Sequence, residues 1–391
     1  MNNGKINSLT SIRFFAALIV VLFHFGGEIN YPTGMKQLSG LGPAGVSFFF
    51  ILSGFILTLT YGKKFKLRLS LEGIKAFYIA RIARVYPVHA LTLLICTPLA
   101  IWYLYRVDSN ILNHPLALVF SWFTNLFLVN IYFVDPGFVH QWNAPSWSIA
   151  CEAVFYIFAP LIISRVIKTK RPGIYISVCY CTSLALAYLL SFLIKHNHYL
   201  SSLNIHDSIR FVMMTSPIFR VWDFILGCLL CKYIISKDKI SINNVILAIA
   251  FGLIFIVMAS RVLPISREIS SIPGIVFYVG QLGLFFSIPF CLIIAAAYLG
   301  GTILDKILNL PIFVLLGESS YSLYLIHWSV LILFNIIHTY GIPHNNFLGV
   351  VGMLFSIGAS ILSFKFFEEP ARNLMKNSYS KKPAQKKYIR S

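Results

Sequence analysis

Charge is scarce in this chain, and negative charge scarcest. Only 12% of the 391 residues are charged, and Asp plus Glu total 13 against 32 Lys plus Arg. Soluble domains carry roughly one quarter charged residues, so a soluble globular protein is excluded. No polar stretch is long enough to hold a large soluble domain. The seven cysteines, Cys96, Cys151, Cys179, Cys181, Cys228, Cys231 and Cys291, all fall inside apolar runs, where cysteine acts as a small buried hydrophobe and no disulfide framework is implied. Cys228 and Cys231 form a CxxC, without the soluble fold or further ligands that a redox or metal role would call for. The halves show no clear self-similarity, which argues against the inverted repeats of a secondary transporter.

What remains is 58% hydrophobic, with a mean hydropathy of +0.77. Apolar runs close to the ~20 residues needed to cross a bilayer as helix recur along the whole length, unlike the ten-residue alternating strands of an outer-membrane barrel. The expected fold is an all-α polytopic membrane protein. Candidate segments lie at 8–26, 42–62, 86–105, 115–133, 146–167, 173–194, 217–236, 243–262, 274–299, 313–337 and 347–367. The first has no clear small-residue cleavage site and reads as a retained helix rather than a signal peptide.

The positive charges set the orientation. Lys63, Lys64, Lys66, Arg68, Lys75, Arg81 and Arg84 follow the second segment, with Glu72 the one acid among them; by the positive-inside rule this loop faces the cytoplasm. Arg165, Lys168, Lys170 and Arg171 mark a second cytoplasmic turn, and Arg372, Lys376, Lys381, Lys382, Lys386, Lys387 and Arg390 a cytoplasmic tail. If all eleven segments crossed, the first two basic loops would fall on opposite faces. Parity is restored if 115–133, with Asn125 and Asn130 and leading into "VDPGFVHQWNAPSW", is re-entrant or interfacial. That leaves ten spans, both termini in the cytoplasm, and the loops at 195–215 and 263–273 outside.

Polar residues inside such runs are costly and are functional candidates by default. In "SIRFFAALIVVLFHF", Arg13 and His24 are eleven residues apart, which is three helical turns plus about 20°, so they share a face about 16 Å apart. Snorkelling of Arg13 and end-capping by His24 are the bland alternatives. In "GVSFFFILSGF", Ser47, Ser53 and Gly54 also suit plain helix packing. Arg81 and Arg84, three apart in "FYIARIARVYP", suit gripping phosphates, or anchoring to anionic lipid. In "WNAPSWSIACEAVFY", Ser148 and Glu152 are i and i+4 beside Trp147, and a carboxyl in an apolar helix needs a partner from elsewhere or must stay protonated. Ser320, Tyr324 and His327 share a face in "LGESSYSLYLIHW"; His327 also reads as hydrogen-bonded structure. Glu368, Glu369 and Pro370 in "FKFFEEPARN" read as a helix end.

These stretches, with "RIARVYP", "WSIACEAVFY", "SYSLYLIH" and "FEEPAR" in this order and spacing, resemble the acyltransferase 3 family of membrane acyltransferases, which includes bacterial carbohydrate O-acetyltransferases. The resemblance covers residues 7 to 372. It implies a transmembrane domain over 1–372 followed by a basic cytoplasmic tail over 373–391, in the bacterial cytoplasmic (inner) membrane. The family's Arg-x10-His motif falls on Arg13 and His24, and its Arg-x-x-Arg motif on Arg81 and Arg84. Its Trp-Ser-x-x-x-Glu motif falls on Trp147, Ser148 and Glu152, and its late Tyr-Ser-x-Tyr-Leu-x-His motif on Tyr321, Ser322, Tyr324, Leu325 and His327. Phe14 stands where many members have glycine, a change to the cavity wall that leaves both polar partners in place.

The implied activity is acyl-CoA-dependent O-acetylation of a carbohydrate such as surface polysaccharide, O-antigen or a lipid-linked sugar. In that scheme Arg13, Arg81 and Arg84 bind the phosphates of acetyl-CoA. His24 acts as general base or acyl carrier with Glu152 as its orienting or charge-balancing partner, and Trp147, Ser148, Tyr324 and His327 meet the acceptor. Metal and nucleic acid are not among the expected partners. The chain runs about twenty-four residues past the last apolar segment, without the SGNH hydrolase-like domain fused to some members. The acceptor is therefore expected to be served by the membrane domain or by a separate extracytoplasmic or glycan-assembly protein. The alternatives are an acyl-shuttling subunit that hands the group to another transferase and, more remotely, a secondary transporter.

Overall fold

The computed structural model describes residues 3–107, 113–133, 136–196, 212–236, 246, 252, 285–343 and 345–380. Among these residues the secondary structure is helical, with no strand. Fifteen helices suffice to follow the path: α1 (Asn3–His24), α2 (Thr33–Ser39), α3 (Gly42–Leu67), α4 (Leu71–Val107), α5 (Pro115–Leu126), α6 (Pro136–His140), α7 (Ser146–Lys168), α8 (Pro172–His196), α9 (Pro217–Ile235), α10 (Phe285–Leu299), α11 (Ile303–Leu308), α12 (Pro311–Glu318), α13 (Ser320–Thr339), α14 (Asn346–Ser363) and α15 (Glu369–Ser380). Seven stretches among the described residues are long and apolar enough to cross a membrane: Ile6–Gly27, Gly42–Leu67, Leu71–Val107, Ser146–Lys168, Pro172–Leu189, Ser320–Thr339 and Asn346–Tyr379. α9 has 19 residues but carries Arg220, Asp223 and Lys232. The expected segment 243–262, the first half of 274–299 and the two expected outer loops lie largely outside the described residues.

α3 and α13 form the middle of the bundle, with 72% and 78% of their apolar windows buried, whereas α8 buries 11% and lies at the edge. α3 packs on α1, α7, α9 and α10, and α13 on α1, α4 and α14. The closest approach is between α3 and α9. An added Cβ at Gly54 would stand 2.0 Å from the Phe224 carbonyl oxygen, and one at Gly227 would stand 1.9 Å from that of Ile51. Small residues that let backbones touch are a main source of helix association where lipid removes the hydrophobic driving force. Large apolar side chains such as Trp102, Phe158, Leu354 and Phe355 are exposed on the outside, as a lipid-facing surface requires.

Three local departures shape the site. α5 has 12 residues, about 18 Å of helix against a hydrocarbon core of about 30 Å. After it the chain turns at Leu128, whose φ is 59°, and passes through a 3-10 turn at Asn130–Tyr132 into α6. Asn125, Asn130 and Asn143 are fully buried along this stretch. The expected 313–337 segment is interrupted at Ser319, where α12 ends and α13 begins; Gly317 there lies against the α1 backbone at Thr10. The last segment does not stop at Glu368–Pro370 as the sequence suggested. It passes through a π-helical turn, Phe364–Glu368, and continues as α15 to Ser380, crossing the expected boundary at 372/373. Pro370 has no N–H to continue the α-helical ladder, and the π turn absorbs that loss.

Candidate active site

Five helices bring their polar residues to one interior cavity of about 100 Å³, lined by Arg13, Ser53, Arg81, Arg84, Ser148, Glu152, Tyr156, Tyr321 and Tyr324 among apolar neighbours. The helical period accounts for the pairings: Arg81 with Arg84, Ser148 with Glu152, and Tyr321 with Tyr324 lie three or four residues apart and so on one face. Ser53, next to the close-packed Gly54, donates to Glu152 Oε1 at 2.7 Å. Ser148 Oγ hydrogen-bonds with the Tyr324 hydroxyl at 2.8 Å and donates to the Pro145 carbonyl at 3.0 Å. Tyr321 donates to the Val85 carbonyl at 2.8 Å, tying α13 to the turn of α4 that carries Arg84.

Three guanidinium groups meet this cavity with unequal compensation. Arg84 Nη1 donates to Glu368 Oε1 at 2.8 Å, and Ser322 donates to Glu368 Oε2 at 2.8 Å. The π turn is what aims Glu368 inward, where it is 1% exposed. Arg81 lies 6.0 and 5.9 Å from the ring centroids of Tyr61 and Tyr156, and its buried Nε has no hydrogen-bond partner. Arg13 makes no hydrogen bond and no ion pair within 4 Å among the described residues. An unpaired buried donor such as Arg81 Nε points to a ligand that completes it, and forked cationic donors suit phosphate or carboxylate oxygens.

At the far end of α1 from Arg13, His24 and His327 form a pair: His24 Nδ1 and His327 Nε2 are 2.8 Å apart, with ring centroids at 5.0 Å and a 22° interplanar angle. The second nitrogen of His327, Nδ1, is 3.1 Å from the Leu323 carbonyl. A carbonyl only accepts, so His327 Nδ1 carries a proton, and in the neutral pair its Nε2 accepts the Nδ1 proton of His24. His24 Nε2 is left with its lone pair. This places on His24 a nitrogen able to take a proton, held in one tautomer by a neighbour that is itself fixed to the backbone. The His327 ring lies 6.1 Å from that of Tyr324, which links the pair to the arginine-lined cavity.

The structure thus gathers Arg13, Arg81, Arg84, Ser148, Glu152 and Tyr324 in one cavity and places His24 and His327 together beside it. It does not bring Glu152 to His24, since Glu152 is held by Ser53. Trp147 packs in the apolar core with Phe155 and does not line the cavity. Sequence reading missed the inward role of Glu368, and it passed over Tyr156. It also missed the buried Arg220 and Asp223 of α9, 3.9 Å apart, with Arg220 donating to Ser47 at 3.0 Å and Ser287 to Asp223 at 3.3 Å. Their spacing of three in "FRVWDF" was a visible signal. Among the described residues no group of three or more His, Cys, Asp or Glu side chains is placed to hold a metal.

The described bundle thus carries interior arginines beside a histidine pair within helices long and apolar enough to cross a membrane. The acyltransferase 3 model, described as an acyltransferase domain, matches residues 6–365, and the chain belongs to that family. It is similar to the O-acetyltransferase OatA of Staphylococcus aureus strain NCTC 8325, 24% identical over 387 residues, which covers 93% of this chain and 57% of OatA. A putative O-acetyltransferase of S. aureus strain COL is 25% identical, covering 94% of this chain and 57% of the relative. The acyltransferase MdmB of Streptomyces mycarofaciens is 31% identical over 163 residues, 40% of this chain and 39% of that protein. The chain therefore spans less than two thirds of the length of these relatives. No solved structure matches it significantly. Its apolar helices make it a multi-pass membrane member of that family.

Proposed function

We propose that this membrane acyltransferase moves an acetyl group from cytoplasmic acetyl-CoA to a hydroxyl of a carbohydrate on or near the outer side of the membrane. The observation that carries this reading is the series along α1: an arginine-lined cavity at one end and, three turns on, a histidine whose free nitrogen can accept a proton. The relatives named O-acetyltransferases support acetyl as the group transferred. In this scheme ten spans cross the bilayer, the short α5 stretch is re-entrant, and both termini face the cytoplasm, as the basic loops require.

Acetyl-CoA would supply a thioester. Arg81, Arg84 and Arg13 are the residues to hold its phosphates and the polar start of its arm. The free space beyond them, about 100 Å³, suits the reacting end of the arm rather than all of it. His24 Nε2 takes the proton of the acceptor hydroxyl as that oxygen bonds to the acyl carbon, and the imidazolium returns the proton to the departing sulfur as the carbon–sulfur bond breaks. His327 fixes the tautomer and shares the transient positive charge. The Tyr324 hydroxyl, once its proton turns away from Ser148 Oγ, would donate to the developing oxyanion.

The test is label transfer. Membranes containing the protein, given acetyl-labelled acetyl-CoA, are expected to place label on surface or lipid-linked glycan above membranes without it. Label that stays on the protein or appears only as free acetate would replace this reading with that of an acyl shuttle. Absence of both would end it.

A further inference from the structure

A second cavity lies on the opposite side of the histidine pair from the arginines. It is about 480 Å³ and lies between the ends of α4 and α13, with α5 and α6 along its side. Along α4 it begins at Ala100, 16 residues or about 24 Å beyond Arg84; along α13 it begins at Trp328, immediately after His327. The Trp328 ring stands edge-on to that of His24 at 5.3 Å between centroids. The two cavities therefore run in series along two helices, with the imidazole pair between them.

The chemistry of the second cavity differs from that of the first. Not one Lys, Arg, Asp or Glu lines it, so it is not built for phosphates or a carboxylate. Its wall is mostly apolar, with Tyr103, His114, His140, Gln141, Trp328 and Asn335 supplying polar groups. Among the described residues the Trp328 indole N–H, the Tyr103 hydroxyl and the Asn335 amide have no hydrogen-bond partner. Gln141 is oriented by Ser121, whose hydroxyl lies 3.0 Å from the Gln141 side-chain amide and 2.9 Å from the Leu118 carbonyl and accepts from Trp142 Nε1 at 2.9 Å. This leaves at least one Gln141 amide N–H without a protein partner. A lipid tail would bury these groups unpaired, which is unfavourable. A pyranose ring, uncharged, with apolar C–H faces and hydroxyls at its rim, satisfies both halves of the wall. The volume falls within the ~300–1,000 Å³ of small-molecule sites. Exposed His114, Ala117 and Gly137 line the open side.

We infer that this cavity is the acceptor site: it binds a neutral hexose unit by the Trp328 ring and the Tyr103, Gln141 and Asn335 polar groups, with one sugar hydroxyl presented to His24 Nε2. The inference rests on the acyl-transfer reading above and adds to it where the acceptor sits and that the bound unit is uncharged.

The experiment uses the full-length protein in lipid nanodiscs and diazirine-bearing methyl glycosides of glucose, galactose and rhamnose as photo-crosslinking probes. Adducts from at least one probe are expected on peptides containing Tyr103, Gln141 or Trp328–Asn335, and to be lost in excess unlabelled methyl glycoside. Asn335→Ala should cut the competed adduct yield by about tenfold, the equivalent of one hydrogen bond; Tyr103→Phe, which removes only a hydroxyl, serves as the second variant if the first fails to fold. Adducts that are not competed, that scatter over the outer helices or that fall in the Arg13–Tyr156 cavity overturn the inference, as does absence of adducts from all three probes. Acetyl transfer assayed on the same nanodiscs separates the two failures: transfer with adducts elsewhere sinks the site and keeps the reaction, and competed adducts without transfer do the reverse.

Discussion

The Arg84–Glu368 pair allows stability and donor binding to be separated in one protein. Glu368 is buried and accepts from both Arg84 and Ser322, and Arg84 is 15% exposed at the cavity wall. Removing one member of such a pair strands the other charge, at a cost of about 3–5 kcal/mol. Glu368→Gln and Arg84→Gln should each lower resistance to thermal unfolding in detergent by an amount of that order. The double variant leaves two neutral amides that can face each other, and should recover much of the loss. If Arg84 also holds a donor phosphate, activity will not follow stability: one lost charge-assisted hydrogen bond of about 1.5–3 kcal/mol corresponds to a rise in KM for acetyl-CoA of about 10- to 100-fold. That rise should appear in Arg84→Gln, persist in the stability-recovered double variant and be small in Glu368→Gln. A double variant that regains both stability and the wild-type KM would refute the donor-binding role and leave Arg84 as the counter-charge of Glu368.

Other expectations follow from single contacts. His327→Ala should lower kcat by about 10²-fold or more with little change in KM for acetyl-CoA, and His327→Gln, which keeps a carbonyl acceptor for the His24 proton, should retain more activity in the same steady-state assay. Gly54→Ala places a Cβ 2.0 Å from the Phe224 carbonyl oxygen, so α3 and α9 must part by more than 1 Å; thermal unfolding should show a destabilisation of about 1–3 kcal/mol or more, and an unchanged midpoint would mean the helices pack otherwise. Glu152→Gln and Ser53→Ala should each reduce turnover, and the double variant by less than the sum of the two, because they share one hydrogen bond; additive losses would argue against that contact.

The helical class was legible because lipid permits few solutions: apolar runs of the right length become helices. Polar side chains that interrupt such runs were the visible signal for the candidate cavity, where Arg13, Ser148, Glu152 and Tyr324 meet, and for the His24–His327 pair. What stayed hidden was tertiary. Glu368 looked like a helix end because Glu-Glu-Pro ends helices in isolation; the π turn that keeps the chain helical and swings the carboxylate onto Arg84 depends on partners 284 residues away. Trp147 looked like a cavity residue from its neighbours Ser148 and Glu152, but it sits on the adjoining face of α7, in the core. The interruption at Ser319 follows from α12 resting on α1 at Thr10, a contact no local pattern announces.

The central claim is that His24 moves the proton, or the acyl group, in transfer. Its most direct measurement compares wild type and His24→Ala in membranes given acetyl-labelled acetyl-CoA, with insertion of both checked and label counted in glycan. The account predicts that label in glycan falls to background in the variant while the protein is made and inserted as before. Transfer by His24→Ala at the wild-type rate would make the histidine pair structural and contradict the mechanism at its centre.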